Sequence, residues 1–126
     1  VNSQMCNYVN YTEEALKMVR ELSLNNLFLV LDFYHMEVMG EDITDIDYVM
    51  PFVKHVHISH WGENYKREYI GEGDRDSLTG IFKALKKEGY SGSMSIEAGT
   101  EDFPGDASKS ISVLREVERT VESLLS

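Results

Sequence analysis

The stretch LVLDFYHM, residues 29 to 36, joins an apolar run to two polar residues that are able to bind ligands. Leu29 to Leu31 have the aliphatic side chains of a buried strand. Asp32 ends that run, and His35 follows three residues later. Because sites in parallel α/β proteins lie at the carboxyl ends of strands, this arrangement predicts a functional site if other strands of the chain end in the same way.

Strand-like segments alternate with helical patterns along the chain. The predicted strands are LFLVLDF (27 to 33), VKHVHIS (53 to 59) and SMSIEA (93 to 98). Apolar residues at helical spacing predict helices over 12 to 22, 77 to 88 and 107 to 125, and a shorter one over 44 to 50 that Pro51 stops. Strands that alternate with helices favour a parallel sheet, so we predict an α/β fold in a single domain, residues 1–126.

The composition narrows the possible partners and locations. The chain has 12 basic and 22 acidic residues, a formal charge of −10, which opposes binding to nucleic acid. Its longest apolar run, 27 to 31, is too short to span a membrane, and the N-terminal stretch lacks the pattern of a signal peptide. The single cysteine, Cys6, excludes an internal disulfide. We therefore expect a soluble, cytoplasmic protein without nucleic-acid or membrane partners.

Each predicted strand has one apolar face and one face that ends in a polar residue, because side chains alternate along a strand. The polar residues are Asp32 in the first strand, His57 in the second and Glu97 in the third. Taken singly, a carboxylate at a strand end is more often a helix cap, and a histidine is often a hydrogen-bonded core residue. Together, the three favour a metal site, and this ligand set suits Mn²⁺, Mg²⁺, Co²⁺ or Zn²⁺.

Four motifs, in this order, resemble the xylose isomerase-like barrel superfamily, and in particular its ketose 3-epimerase and hydroxypyruvate isomerase branches. In these families an Asp-x-x-His strand end precedes a His-x-His strand, an Arg-x-x-x-Gly-x-Gly loop and a Gly-Tyr-x-Gly-x-x-x-x-Glu strand. Here the motifs are Asp32–His35, His55–His57, Arg67–Gly73 and Gly89–Glu97. The resemblance implies a partial (β/α)8 TIM barrel, namely its C-terminal half, with parallel strands and outer helices.

The resemblance also implies roles for individual residues. Asp32, His57 and Glu97 correspond to ligands of a divalent metal ion, with Mn²⁺ as the first expectation. Glu97 corresponds in addition to an acid/base residue, and His35 and Arg67 correspond to residues that bind substrate oxygens. The implied reaction is the isomerisation or epimerisation of a sugar or a hydroxy-keto acid by proton transfer through an enediolate.

The motifs cover only the second half of an eight-stranded barrel. The families use a fourth metal ligand, a glutamate that ends an earlier strand, and its position would precede Val1. We therefore expect this chain alone to have a weakened metal site and little turnover. We also expect self-association, or pairing with a complementary N-terminal half-barrel, because a short parallel sheet has unpaired edges.

Two other functions remain open from the sequence. The endonuclease IV group, a more distant relative of the same superfamily, suggests a metal-dependent phosphodiesterase, although the acidic charge and the lack of an Asp-Arg-His stretch after HVHIS oppose it. The other alternative is a half-barrel without catalytic activity that serves as an assembly module.

Overall fold

The computed structural model describes residues 2–126, which form four α-helices and a short parallel sheet. The helices are α1 (Thr12–Leu22), α2 (Phe33–Val38), α3 (Arg75–Lys87) and α4 (Phe103–Leu124). The strands are β1 (Leu29–Asp32), β2 (Val53–Ile58), β3 (His60–Trp61), β4 (Arg67–Glu68) and β5 (Ser93–Ile96). None of these helices is long and apolar enough to cross a membrane.

The main sheet has the strand order β1-β2-β5, and both pairs of neighbouring strands are parallel. Asp32 pairs with His57 across β1 and β2. The N–H of Glu97 donates to the carbonyl of Ile58. The hydrogen bonding between β2 and β5 therefore continues one residue beyond the end of β5. This register brings the ends of the three strands level with one another.

The outer face of the sheet packs under the helices. Leu31, Val56 and Ile58 are buried there, in one core with residues of α3 and α4 such as Ile81 and Val117. Strands that alternate with outer helices confirm the predicted α/β class and the parallel sheet.

The first strand is shorter than predicted, because a helix that was not predicted begins at Phe33. The carboxylate of Asp32 accepts the N–H of His35 at 3.3 Å and caps α2. Asp32 therefore does what a carboxylate in this position commonly does, in addition to lying at the end of a strand. The capped turn directs His35 back over the end of the sheet.

The predicted helix over 44 to 50 is wrong. This segment forms turns that lead into a 3-10 helix, Met50–Phe52, and Pro51 lies inside that helix rather than after the predicted one. The carboxylate of Asp42 accepts both the N–H and the hydroxyl of Thr44, at 2.8 and 2.7 Å. Such local bonds from an aspartate compete with helix formation.

α1 has the predicted bounds, whereas α3 and α4 each end one residue before the predicted end and begin earlier than predicted. α3 begins two residues and α4 four residues before the predicted positions. In α4 the carboxylate of Asp102 accepts the N–H of Gly105, and a proline stands in the first turn, where its missing N–H costs nothing. α3 ends before Gly89, whose φ of +67° suits glycine.

Candidate metal centre

Three potential ligands converge at the carboxyl end of the sheet. Nδ1 of His57 lies 2.8 Å from Oε2 of Glu97 and 3.6 Å from Oδ2 of Asp32. One ligand atom from each residue lies within 4.8 Å of the other two. The strand register explains this proximity, because Asp32 pairs with His57 and Glu97 directly follows β5.

The chemistry of this cluster fits a divalent cation. Two carboxylates and an imidazole are ligands for Mn²⁺, Zn²⁺ and related ions. Metal–ligand bonds of about 2.0–2.2 Å place two ligands of one ion at most about 4.4 Å apart. A spacing of up to 4.8 Å is therefore within a small side-chain rotation of a coordinated arrangement.

Arg67 lies beside the cluster and neutralises part of its charge. Its Nη2 is 2.5 Å from Oδ2 of Asp32, and its Nη1 is 3.2 Å from Oε2 of Glu97. The guanidinium lies over the ring of Tyr34, 4.3 Å from its centroid. Arg67 belongs to β4, which pairs antiparallel with β3 in a short hairpin. The carbonyl of Arg67 accepts the N–H of Gly99 and so links this hairpin to the segment after β5.

His35 lies next to Arg67, in the first part of α2. Its Nε2 is 2.9 Å from Nη2 of Arg67 and 3.8 Å from Oδ2 of Asp32. Burial lowers the pKa of His35, and the neighbouring carboxylate of Asp32 opposes this effect only in part. Burial therefore favours the neutral form of the ring.

The structure brings together the five residues that the sequence singled out, which are Asp32, His35, His57, Arg67 and Glu97. His55, on the same sheet face, is instead bonded to the hydroxyls of Ser93 and Ser95, at 2.8 and 2.9 Å. It is a hydrogen-bonded structural histidine, which was the alternative interpretation of this motif.

Two supporting residues were not found from the sequence. Tyr34 is buried beneath Arg67, and its hydroxyl donates to the carbonyl of Tyr65 in the β3–β4 connection. Asn2 is buried against His35 and donates to its Nδ1. Tyr34 lies between Asp32 and His35 in the sequence, which is the one signal that favoured it. Asn2 has no such signal.

The sequence matches known relatives over most of its length. It is 36% identical over 99 residues to a ketose 3-epimerase of Arthrobacter globiformis, covering 78% of this chain and 32% of that protein. It is 30% identical over 104 residues to an L-ribulose 3-epimerase of Mesorhizobium japonicum, covering 82% of this chain and 33% of the relative. The chain thus spans about a third of the length of these relatives.

The fold also matches a solved structure. An L-ribulose 3-epimerase superposes with a TM-score of 0.75 at 22% identity, over 96% of this chain and 47% of that one. The shared part is again only a portion of the larger protein. The family model described as xylose isomerase-like TIM barrel matches residues 1–117. The chain therefore belongs to the xylose isomerase-like TIM barrel family, of which it represents part of the barrel.

Proposed function

We propose that this chain forms the second half of the active site of a metal-dependent sugar isomerase or epimerase. The observation that carries the proposal is the convergence of Asp32, His57 and Glu97 within 4.8 Å at the carboxyl end of the sheet, with Arg67 in contact with both carboxylates. Relatives named as ketose and L-ribulose 3-epimerases suggest a ketose as the substrate class.

Asp32, His57 and Glu97 would hold the divalent cation. When bound, the cation supplies Lewis acidity that makes the proton on the carbon next to a carbonyl easier to remove. Mn²⁺ is the proposed ion, because the resemblance to the family implies it and the carboxylate and imidazole set is compatible with it.

Glu97 is the proposed acid/base residue. Its side chain is 53% exposed, whereas Asp32 is only 13% exposed, so of the two carboxylates Glu97 is the more accessible to a substrate. The carboxylate of Glu97 would take a proton from the substrate carbon or return one to it. His35 and Arg67 would hold substrate oxygens, since both lie at the edge of the cluster.

The first experiment is a calorimetric titration of the chain with Mn²⁺ at neutral pH. We expect binding in the wild type and its loss in both Asp32→Asn and Glu97→Gln. Glu101→Gln is the matched control, because Glu101 is an exposed carboxylate just after the strand end, outside the cluster. Binding that survives both site substitutions, or that falls equally in the control, would contradict the proposed site.

The second experiment tests the chemistry with a ketose in D₂O. Proton transfer at the substrate carbon would introduce deuterium at carbon 3, the position named for the relatives, and NMR would detect it. Because this chain supplies only half of the proposed active site, we expect slow exchange in the presence of Mn²⁺ and none in Glu97→Gln. Exchange that is independent of Glu97 would remove this residue from the mechanism.

A further inference from the structure

Asn2 is a buried polar residue, 1% exposed, next to the candidate site. Its backbone N–H donates to Nδ1 of His35 across 3.1 Å, and its side-chain Nδ2 lies 3.1 Å from the same ring nitrogen. The side-chain Oδ1 of Asn2 accepts the N–H of Gln4, and its carbonyl accepts the N–H groups of Met5 and Cys6. This turn holds Asn2 so that two donors face one nitrogen of His35.

The other nitrogen of His35 also faces a donor. Nε2 lies 2.9 Å from Nη2 of Arg67, and a guanidinium only donates hydrogen bonds. A neutral imidazole accepts at one nitrogen and carries a proton on the other. His35 therefore accepts from either Asn2 or Arg67, but not from both.

The remaining partners of each donor decide which bond forms. Arg67 has two carboxylate partners, Asp32 and Glu97, and retains them if His35 does not accept from it. Within the described chain, residues 2–126, the hydrogen bond of the buried Asn2 N–H is to Nδ1 of His35. A buried N–H without an acceptor is costly, which favours the form in which Nδ1 accepts and Nε2 carries the proton.

We propose that Asn2 is a positioning residue that fixes His35 as the tautomer protonated on Nε2. The functional meaning rests on the proposed sugar chemistry. Nε2 of His35 and Nη2 of Arg67, 2.9 Å apart, are then both donors, and neither can accept a hydrogen bond from the other. One substrate oxygen that accepts two hydrogen bonds, such as a carbonyl or an ionised oxygen, would satisfy both. Asn2 does not touch the substrate and acts only through His35.

The tautomer is measurable by NMR in the ¹⁵N-labelled 126-residue chain. Long-range ¹H–¹⁵N correlations of the histidine rings, recorded at mildly alkaline pH without metal or sugar, distinguish the two neutral forms. The signals of His35 are those that disappear in His35→Gln. We expect the ring protonated on Nε2. A neutral ring protonated on Nδ1 would overturn the proposal, whether or not any variant of Asn2 folds.

Asn2→Asp tests the role of Asn2 itself. Aspartate keeps an oxygen that accepts the N–H of Gln4, but places a carboxylate oxygen where the amide nitrogen lies, 3.1 Å from Nδ1. A carboxylate is a strong acceptor, so we expect the proton to move to Nδ1. Asn7→Asp is the control, because it adds the same charge at an exposed position of the same segment and should leave the His35 signals unchanged.

An unchanged His35 ring in Asn2→Asp would contradict the positioning role. Because these measurements need neither metal nor substrate, they are independent of the metal titration. Failure of Mn²⁺ to bind would refute the proposed function and leave the tautomer as measured. The wrong tautomer together with normal Mn²⁺ binding would refute only the inference about Asn2.

Discussion

The two faces of the parallel sheet use alternate residues of the same strands, yet they have opposite environments. On the outer face Leu31 is 3% exposed and Val56 is fully buried, because α3 and α4 cover the core that contains them. On the inner face Val30 is 53% exposed, and the polar cluster around His57 lies at the end of the strands. The helices of this chain therefore complete one face, while the other is open to a ligand and to further protein.

The largest expected effect comes from the covered face. Ile58→Ala removes a side chain that is 1% exposed and leaves a cavity, so we expect a loss of about 2–5 kcal/mol in the free energy of unfolding. Val30→Ala, in the neighbouring strand on the open face, should cost only about 0.5 kcal/mol. Urea unfolding followed by circular dichroism measures both. Equal losses would mean that the two faces are equally buried in solution.

The open face predicts self-association, which we propose for the isolated chain. Val30→Lys places a charge on its exposed apolar part and should weaken association by about tenfold or more, equivalent to about 1.4 kcal/mol. Sedimentation velocity over a range of concentrations measures this change, with Val30→Ala as the control of similar exposure. A wild-type chain that stays monomeric at high concentration would contradict the prediction.

Substitution of Arg67 tests how its positive charge affects cation binding at the polar end of the open face. Its guanidinium contacts Asp32 and Glu97, so it opposes the approach of a cation to the same carboxylates. We expect Arg67→Gln to tighten Mn²⁺ binding by roughly threefold to tenfold in a calorimetric titration.

The control for Arg67 is Arg75→Gln. Arg75 pairs with Glu72 and Glu116 and is not part of the cluster, so its removal should leave Mn²⁺ affinity unchanged. Weaker binding in Arg67→Gln alone would mean that Arg67 supports the ligands rather than competing with the cation.

The smallest expected effect concerns a partly buried carboxyl group in α2, that of Glu37. Burial raises the pKa of Glu37 above its ordinary value of 4.5, although the hydroxyl of Ser77 donates to it at 3.0 Å. A raised pKa means that the folded state binds this proton more tightly than the unfolded state. The protonated carboxyl group of Glu37 therefore makes its full contribution to stability below pH 4.5. This contribution is lost as pH rises through the raised pKa.

Glu37→Gln removes this pH dependence. The stability of the variant relative to the wild type should rise between acid and neutral pH, as measured by urea unfolding at a series of pH values. Glu63→Gln, the same substitution at an exposed position, is the matched control. A flat difference for Glu37→Gln would mean that the carboxyl group of Glu37 has no raised pKa.

Much of the site was predictable because it depends on strand alternation. Asp32 and His57 lie on the polar face at the ends of β1 and β2, Glu97 directly follows β5, and parallel strands in register bring such positions together. The supporting contacts were not predictable in this way. Arg67 reaches the cluster from the β3–β4 hairpin, and Asn2 reaches His35 from a turn 33 residues away in the chain.

The errors in the fold have a common physical cause. α2 begins where an apolar strand pattern seemed to continue, and 44 to 50 forms turns where a helical pattern was present. In both places an aspartate carboxylate bonds to a nearby backbone N–H, at Asp32 for His35 and at Asp42 for Thr44. Side-chain to backbone bonds of this kind change local structure without changing the hydrophobic pattern.

The sequence by itself determined the α/β class, the parallel sheet and the three candidate ligands at the strand ends, because hydrophobic periodicity and side-chain alternation are local properties of the chain. Only the tertiary structure decided that Arg67 would neutralise Asp32 and Glu97 and that Asn2 would face His35. Those contacts join segments far apart in the sequence, so they exist only once the strands and helices have packed together.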